Sequence, residues 1–590
     1  MTANRVTIET RRTSYAVPMP TVPPVHPIPI EPAPGTRSAL MAVLRRIDGW
    51  GQGAWREIYC TWQLKQCLIS VDDLEAGVSR DVDDRVAAFV LVVPGHTLGR
   101  PGDPIRDIAT CDWVLRQAWD LLLKNATITV TTHLPGPEVR ATNACVFTPP
   151  SPDSPPALLL RLLVRLPMAG MCCDGKALRR FLLLLEQFSD TLCRRLKRPL
   201  LDRHRFVVAQ QNALRAQLDQ LKLVAFIGDG ARLARTGADQ PTAACRPWRT
   251  PAAERITINL GSLGRVRGFG IRFGITAIAG APYHGKSTVL SALAAGRDNH
   301  IPDDGRELVV AHASAIVIQA EDGRRIKSTD VSDFFSNLPG GRSTNFSTDR
   351  ASGATSMAAS LIQGIAAGSR LLLIDEDNAA SNFLTIDPLM RRLLGTTLNG
   401  FTTLLEALPG LTAAGVNTVL VAGAHHQSLQ TSDHIVIMEN YQPRVATAQV
   451  RRLLPRRRTK NVVPAIIPQR LLTNQPDCLF GQRHFLRIDV TEPERPLFND
   501  IPLDLRRCGW QVDKASVRGA FAAAAWCCRL ADGQAISLKE LAERYQAFVS
   551  DYGPRALDPF DTALITVPPW QLVVTVLERL SQPNIISGKP

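Results

Sequence analysis

The stretch Ile271–Ser291 constrains this chain more than any other. An apolar, β-favouring run from Ile275 to Ala279 leads into Gly280-Ala-Pro-Tyr283-His284-Gly285-Lys286-Ser287, and a helix-forming segment follows. Strand, glycine-bounded loop and helix in that order are what a phosphate-binding loop requires. The loop's N–H groups and the positive end of the following helix cradle phosphate oxygens. In such a loop Lys286 reaches the terminal phosphates and the Ser287 hydroxyl faces Mg²⁺. A glycine-rich turn with a chance Lys-Ser pair is the plain alternative, and the flanking strand and helix patterns argue against it.

A chain of 590 residues is too long for one core, and about three domains are expected. Hydrophobic residues at 45% and charged residues at 21% describe a globular protein rather than a disordered one. The net charge of +14 points to a polyanionic partner: RNA, DNA or an anionic membrane face. No apolar run reaches the roughly 18 residues of a membrane-spanning helix, so no membrane partner is expected. None of the twelve cysteines shows C-x-x-C spacing. The vicinal pairs Cys172–Cys173 and Cys527–Cys528 read as reduced core thiols in an intracellular protein.

Residues 1–38 carry eight prolines between Pro18 and Pro34 and read as a disordered leader. Arg5, Arg11 and Arg12 among hydroxyl residues suit a mitochondrial transit peptide, whereas Glu9 and the prolines oppose an amphipathic helix; the cytoplasm is the alternative. Residues 39–250 alternate strand-like and helix-like segments, an α+β domain. Within it Asp48–Arg56, with three glycines and two tryptophans, reads as a turn-rich loop rather than a buried element. Residues 251–470 form the P-loop core, and 471–590 a mostly helical region packed against it. The fold class is therefore α/β.

Two further features narrow the core. Leu371-Leu-Leu-Ile-Asp375-Glu376 is an apolar strand ending in carboxylates. Asp375 suits a water-bridged Mg²⁺, and Glu376 suits polarising the water that attacks a γ-phosphate. Just upstream, Ser352-Gly353 opens a helix of small residues and supplies a hydroxyl, free N–H groups and a dipole for an anion. In a head-to-tail pair of chains that second anion site caps the partner's γ-phosphate.

With Tyr283-His-Gly-Lys-Ser-Thr288, Asn299-His-Ile-Pro302, Ala320-Glu-Asp-Gly-Arg324, Ala351-Ser-Gly353, Leu372-Leu-Ile-Asp-Glu-Asp377 and Asn382-Phe383, the chain resembles the predicted ATPases of the ABC class. The resemblance covers most of the chain and fades over about 500–580. It implies an ABC-type P-loop NTPase core that dimerises around ATP. By match, Gly280, Tyr283, His284, Gly285, Lys286, Ser287 and Thr288 hold ATP and, through Ser287, Mg²⁺. Ser352 and Gly353 reach across a homodimer, Asp375 holds Mg²⁺, and Glu376 is the catalytic carboxylate. Asn378–Asn382 would be the loop linking two composite sites. Gln319 or Glu321 stands where a nucleotide-sensing glutamine belongs. The family also includes members that bind RNA through a basic central pore, with a link to mitochondrial RNA editing.

Two departures accompany the match. Ala281 and Pro282 stand where the family favours glycines, and Pro282 removes one loop N–H. His425 and His426 fall one or two positions beyond the place of a switch histidine; His425 is the candidate γ-phosphate sensor, with a surface loop as the alternative.

After the core, Arg451-Arg452-Leu-Leu-Pro-Arg456-Arg457-Arg458-Thr-Lys460 is uninterrupted by an acid and reads as contact with an RNA backbone, independent of base sequence. A solvated linker is the plain alternative. The expectation is an ATPase coupling nucleotide state to RNA binding. An ATP-gated RNA clamp with little hydrolysis is the second reading, and a small-molecule kinase, which has no use for Ser352-Gly353, the third.

Overall fold

The structure is a computed structural model. It describes residues 35–64, 68–73, 86–94, 102–122, 124, 126, 128–148, 156–195, 199–236, 240–241, 245–336, 338, 342–423, 425–456, 469–473, 488–498, 501–531, 534–558, 564–580 and 584–587.

The N-terminal part is built on antiparallel strands β1 (Leu68–Asp73), β2 (Val86–Pro94) and β3 (Ala157–Arg165), with β2 between the other two. Alternate residues Phe89, Leu91 and Val93 of β2 and Leu158, Leu160 and Leu162 of β3 enter one core, the period-2 pattern of a strand. Helices α1 (Arg37–Arg46), α2 (Pro104–Leu121) and α3 (Gly175–Arg195) close over it. Two expectations need correction here. Gly35–Thr36 pairs with Trp62–Gln63, and the Thr36 hydroxyl caps α1 by accepting from the Ala39 N–H, so ordered structure starts inside the span read as leader. In the stretch read as a turn-rich loop, Gln52–Ile58 is a 3₁₀ helix whose Trp55 is 2% exposed; of the two tryptophans, Trp50 is the one that faces solvent.

Helix α4 (Pro199–Gln217) leads to β4 (Leu223–Gly228). This strand lies inside an antiparallel sheet with β5 (Arg255–Asn259), β6 (Arg265–Arg272) and, further on, Val309–Ala311. The core therefore reaches back across the boundary expected at 250.

Next come β7 (Ile275–Ala279) and α5 (Lys286–Ala295), then β8 (Val309–Ala311), β9 (Ala315–Ile318), α6 (Gly353–Ala366) and β10 (Leu371–Asp375). Helix α7 (Leu404–Ala413), β11 (Asn417–Ala422), β12 (His434–Glu439) and β13 (Gln442–Val445) complete the core. The central sheet has the order β9-β10-β11-β7-β12-β13. It is parallel except for β13, which runs antiparallel to β12. Buried on both faces, the inner strands β7, β10 and β11 are largely apolar runs. Leu371 and Leu373 pack with Val289, Leu290 and Leu293 of α5, while Leu372 and Ile374 face Met357 and Leu361 of α6.

The C-terminal region contains α8 (Lys514–Leu530), α9 (Leu538–Tyr552) and α10 (Trp570–Arg579), together with short strands at 470–473, 535–537 and 584–587. It is thus more mixed than the helical pattern implied, and it packs on the core as expected. Gly509, at φ +78°, lies so close to β9 that a Cβ would stand 2.2 Å from the Val317 carbonyl oxygen. The Arg297 guanidinium sits 3.7 Å over the Trp510 ring, a cation–π contact, and burial pushes its pKa down to about 10. Arg140 of the N-terminal part bridges Asp298 of the core and Asp513 ahead of α8.

Candidate nucleotide site

Strand β7 delivers its chain to Gly280 at φ +143°, where an added Cβ would stand 2.5 Å from the Met438 carbonyl oxygen. Only glycine fits that approach. The loop then climbs through Ala281 and Pro282 to Tyr283, a non-glycine residue at φ +64° that is 92% exposed. It returns through Gly285, at φ +92°, which opens α5. The Lys286 ammonium donates to the Gly280 and Ala281 carbonyls at 2.8 and 3.0 Å, so it spans the mouth of the loop. Ser287 is exposed and Thr288 half-buried in the first turn of α5. His284 ties the loop to the turn between β12 and β13: its Nδ1 accepts the Asn440 N–H at 3.2 Å.

Two strands away, β10 ends in Asp375, whose Oδ1 accepts the Asp377 N–H. The next residue, Glu376, is 9% exposed. Its Oε2 accepts the Gly423 N–H at 2.8 Å, and its Oε1 stands 3.6 Å from His425 Nε2. Gly423 follows β11, so the strand between β7 and β10 supplies both the donor and the histidine. His426 is exposed on the next helix. Of the two candidate histidines, His425 is the one beside the carboxylate.

Ser287, Gln319, Asp375 and Asn378 line a common cavity of about 400 Å³, also walled by Glu138, Arg506 and Trp510. Gln319 and Glu321 are placed differently by the fold. Gln319 faces the cavity, whereas Glu321 is buried in an ion pair with Arg579 of α10, at 2.7 Å to each carboxylate oxygen. Glu321 also accepts from Ser360 of α6, and its N–H donates to Ser356 of the same helix.

Ser352 caps α6: its Oγ accepts the Thr355 N–H at 3.3 Å. The residue is exposed, Gly353 behind it is buried, and neither lines the cavity shared by Ser287 and Asp375. Within one chain the Ser-Gly pair and the P-loop are separate features.

The basic tail differs from its sequence pattern. Arg451 and Arg452 occupy the last turn of a short helix, Thr447–Leu453. The Arg451 guanidinium donates to the Leu429 and Ser432 carbonyls, and Arg456 pairs with Asp433. Neutralisation thus comes from a neighbouring loop, which no linear reading of the charges reveals. Arg452 is exposed. Arg457, Arg458 and Lys460 lie outside the described residues.

The residues present suit a Mg²⁺–nucleotide. Ser287, Asp375 and Gln319 are oxygen donors, and no cluster of three His, Cys, Asp or Glu side chains able to hold a metal by itself exists among the described residues. Mg²⁺ characteristically takes one or two protein oxygens and completes its shell with phosphates and water. No helix among the described residues is long and apolar enough to cross a membrane.

A parallel sheet that ends in a glycine-bounded loop, with a carboxylate pair two strands away, defines a P-loop nucleotide-binding protein. Residues 197–468 match the ABC_ATPase P-loop domain, and this part of the chain is similar to that family. A stretch of 190 residues is 35% identical to an uncharacterized protein of Methanocaldococcus jannaschii, covering 30% of this chain and 42% of that relative. The chain thus spans less than half the length of this relative. Neither match carries a link to RNA editing or to mitochondria.

Some site residues escaped the sequence. Gly423 and Asn440 act through backbone N–H groups, which no side-chain motif signals. Arg579 had no signal, because its partner lies 258 positions away.

Proposed function

We propose that the protein binds ATP with Mg²⁺, hydrolyses it in a homodimer formed around the nucleotide, and couples that cycle to RNA. The observation that carries the reading is the setting of Glu376, held by the Gly423 N–H and flanked by His425 next to the Asp375 cavity. The Lys286 ammonium exchanges its loop carbonyls for phosphate oxygens. Ser287 and Asp375 would hold the Mg²⁺, which would neutralise phosphate charge. Glu376 orients and polarises the attacking water, and His425 senses the terminal phosphate. Gln319 faces the same cavity and follows its occupancy.

The dimer is supported by the separation of Ser352-Gly353 from the P-loop of its own chain. An exposed hydroxyl at the N-terminus of a fourteen-residue helix suits an anion brought by a second copy. RNA is supported by the net charge of +14 and by exposed Arg452. The buried setting of Glu376 favours hydrolysis over the ATP-gated clamp.

ATP turnover and light scattering with wild type, Lys286→Ala and Glu376→Gln test this. The expected result is turnover in wild type, loss of ATP binding in Lys286→Ala, and an ATP-trapped dimer without turnover in Glu376→Gln. Equal turnover in wild type and Glu376→Gln with intact binding would replace hydrolysis by the clamp. ATP binding with no dimer in Glu376→Gln would remove the composite site.

A further inference from the structure

We propose that Tyr441 is the platform on which the base of the nucleotide stacks. This rests on the ATP reading and names a subsite within it. The sheet order sets the direction of the ligand. With the phosphates in the loop after β7, the Mg²⁺ end points toward Asp375, on the side of β11 and β10. The sugar and base then leave on the opposite side, over β12 and β13. The turn joining those two strands is Asn440-Tyr441.

That turn is shaped against its own sequence. Glu439 pairs with Gln442, so two residues make the connection, and both are left-handed, at φ +50° and +66°. Such turns favour Asn-Gly. Asn440 fits, but a tyrosine at the second position is strained, and strained residues cluster where ligands are clamped. The side chain gained in exchange is 51% exposed, with no ring contact or hydrogen bond to the described residues. It nonetheless lies against the P-loop: Cδ1 of its ring is 3.0 Å from where a Cβ on Gly285 would stand.

The turn is also anchored on both sides. The Asn440 N–H donates to His284 of the loop. The Gln442 amide spans to the antiparallel lobe, donating to the Pro247 carbonyl and accepting the Arg249 N–H. A fixed backbone carrying a half-exposed ring beside the phosphate loop is the arrangement an aromatic base platform needs. Tyr283 is also exposed, but it sits on the loop crest, and no comparable backbone anchor holds it.

The test is calorimetric titration of the full chain, in Mg²⁺, with ATP and separately with inorganic tripolyphosphate, for wild type, Tyr441→Gly and Tyr441→Phe. Loss of a base–aromatic stack should weaken ATP binding by about 5- to 150-fold in Tyr441→Gly. Tyr441→Phe should bind ATP as wild type does, and tripolyphosphate should bind all three alike. The ligand-free melting temperature of Tyr441→Gly should equal or exceed that of wild type, since glycine relieves the turn. Wild-type ATP affinity in Tyr441→Gly overturns the proposal. An equal loss of tripolyphosphate affinity also overturns it, because the ring would then act through the loop. A wild-type chain that binds tripolyphosphate as tightly as ATP removes the base subsite and leaves the phosphate loop standing. One that binds neither overturns the ATP reading, and this subsite with it.

Discussion

Replacing Arg579 by Met should weaken the packing of the C-terminal region on the core beside the helix that Ser352 caps. Arg579 and Glu321 are 8% and 9% exposed, and one guanidinium nitrogen contacts both carboxylate oxygens at 2.7 Å. Burial alone would lower the Arg579 pKa, and Glu321 beside it raises it instead. Removing one partner of a buried pair strands the other, typically at about 3–5 kcal/mol. Here Glu321 would keep the Ser360 hydroxyl at 3.1 Å and Arg324 at 3.5 Å. The loss should therefore fall at the low end, about 3 kcal/mol. Glu321→Gln combined with Arg579→Met removes both charges of the pair, though it leaves Arg324 without its neighbouring carboxylate, so the two losses should be less than additive.

Urea unfolding followed by tryptophan fluorescence reads this directly, since Trp526 and Trp570 are buried in the C-terminal core. A chain of several cores need not unfold in one step, so the comparison concerns the transition in which those tryptophans become exposed. If the losses of Glu321→Gln and Arg579→Met simply add in the double variant, the pair is not a coupled buried interaction and the reasoning fails. Gln363 makes the same contact a wider one. It accepts from Arg324, donates to Glu578 at 3.1 Å, and Glu578 holds fully buried Arg470. Helix α6 is thereby bound to α10 at two levels.

Three further outcomes follow from the geometry. Gly280→Ala should abolish ATP binding, because its methyl meets the Met438 carbonyl at 2.5 Å with no flexible atom to move; undiminished affinity by titration would show that the loop can shift. Asp112, Asp298 and Asp304 are each pushed up by burial and held below the usual carboxylate value by Arg116, by Arg140, and by His300 with Arg235. Their stabilisation is complete above the unfolded pKa, about 3.9, and is lost as pH falls from there through the lowered folded values, so the melting temperature should drop progressively below about pH 5; a flat profile there contradicts the pairing. If RNA is bound, Arg452→Glu should flatten the salt dependence of binding by roughly one phosphate contact, and Arg456→Gln, whose partner is Asp433, should flatten it less.

Much of the nucleotide site could be read along the chain because its parts are local. Gly280, Gly285, Lys286 and Ser287 lie within eight positions, and their spacing is the motif. Asp375 and Glu376 needed only an apolar strand before them, and the strand Leu371–Asp375 has the expected bounds. Where the sequence misled, the deciding contact was remote. Trp55 reads as a loop residue until it meets the core under α1 and α3. Arg456 reads as free until Asp433, on a neighbouring loop, reaches it. Glu321 and Gln319 are equivalent by position, and only the fold separates the ion pair from the cavity.

The same distinction explains why the two ends of the nucleotide differ in legibility. The phosphate end is recognised by backbone that must take one shape, so its glycines and lysine are fixed in spacing. The base end needs only a flat ring held at the right height, which any element passing the loop can supply. Sheet order decides which element passes: β12 is the neighbour of β7 on the side away from Asp375. A tyrosine there costs a left-handed turn its preferred glycine, and beyond lying against Gly285 the ring makes no hydrogen bond or aromatic contact among the described residues. The strain at Tyr441 therefore points outward, to a ligand, in the same way that the Lys286 ammonium, bonded among the described residues to the carbonyls of its own loop, points to the phosphates that would replace them.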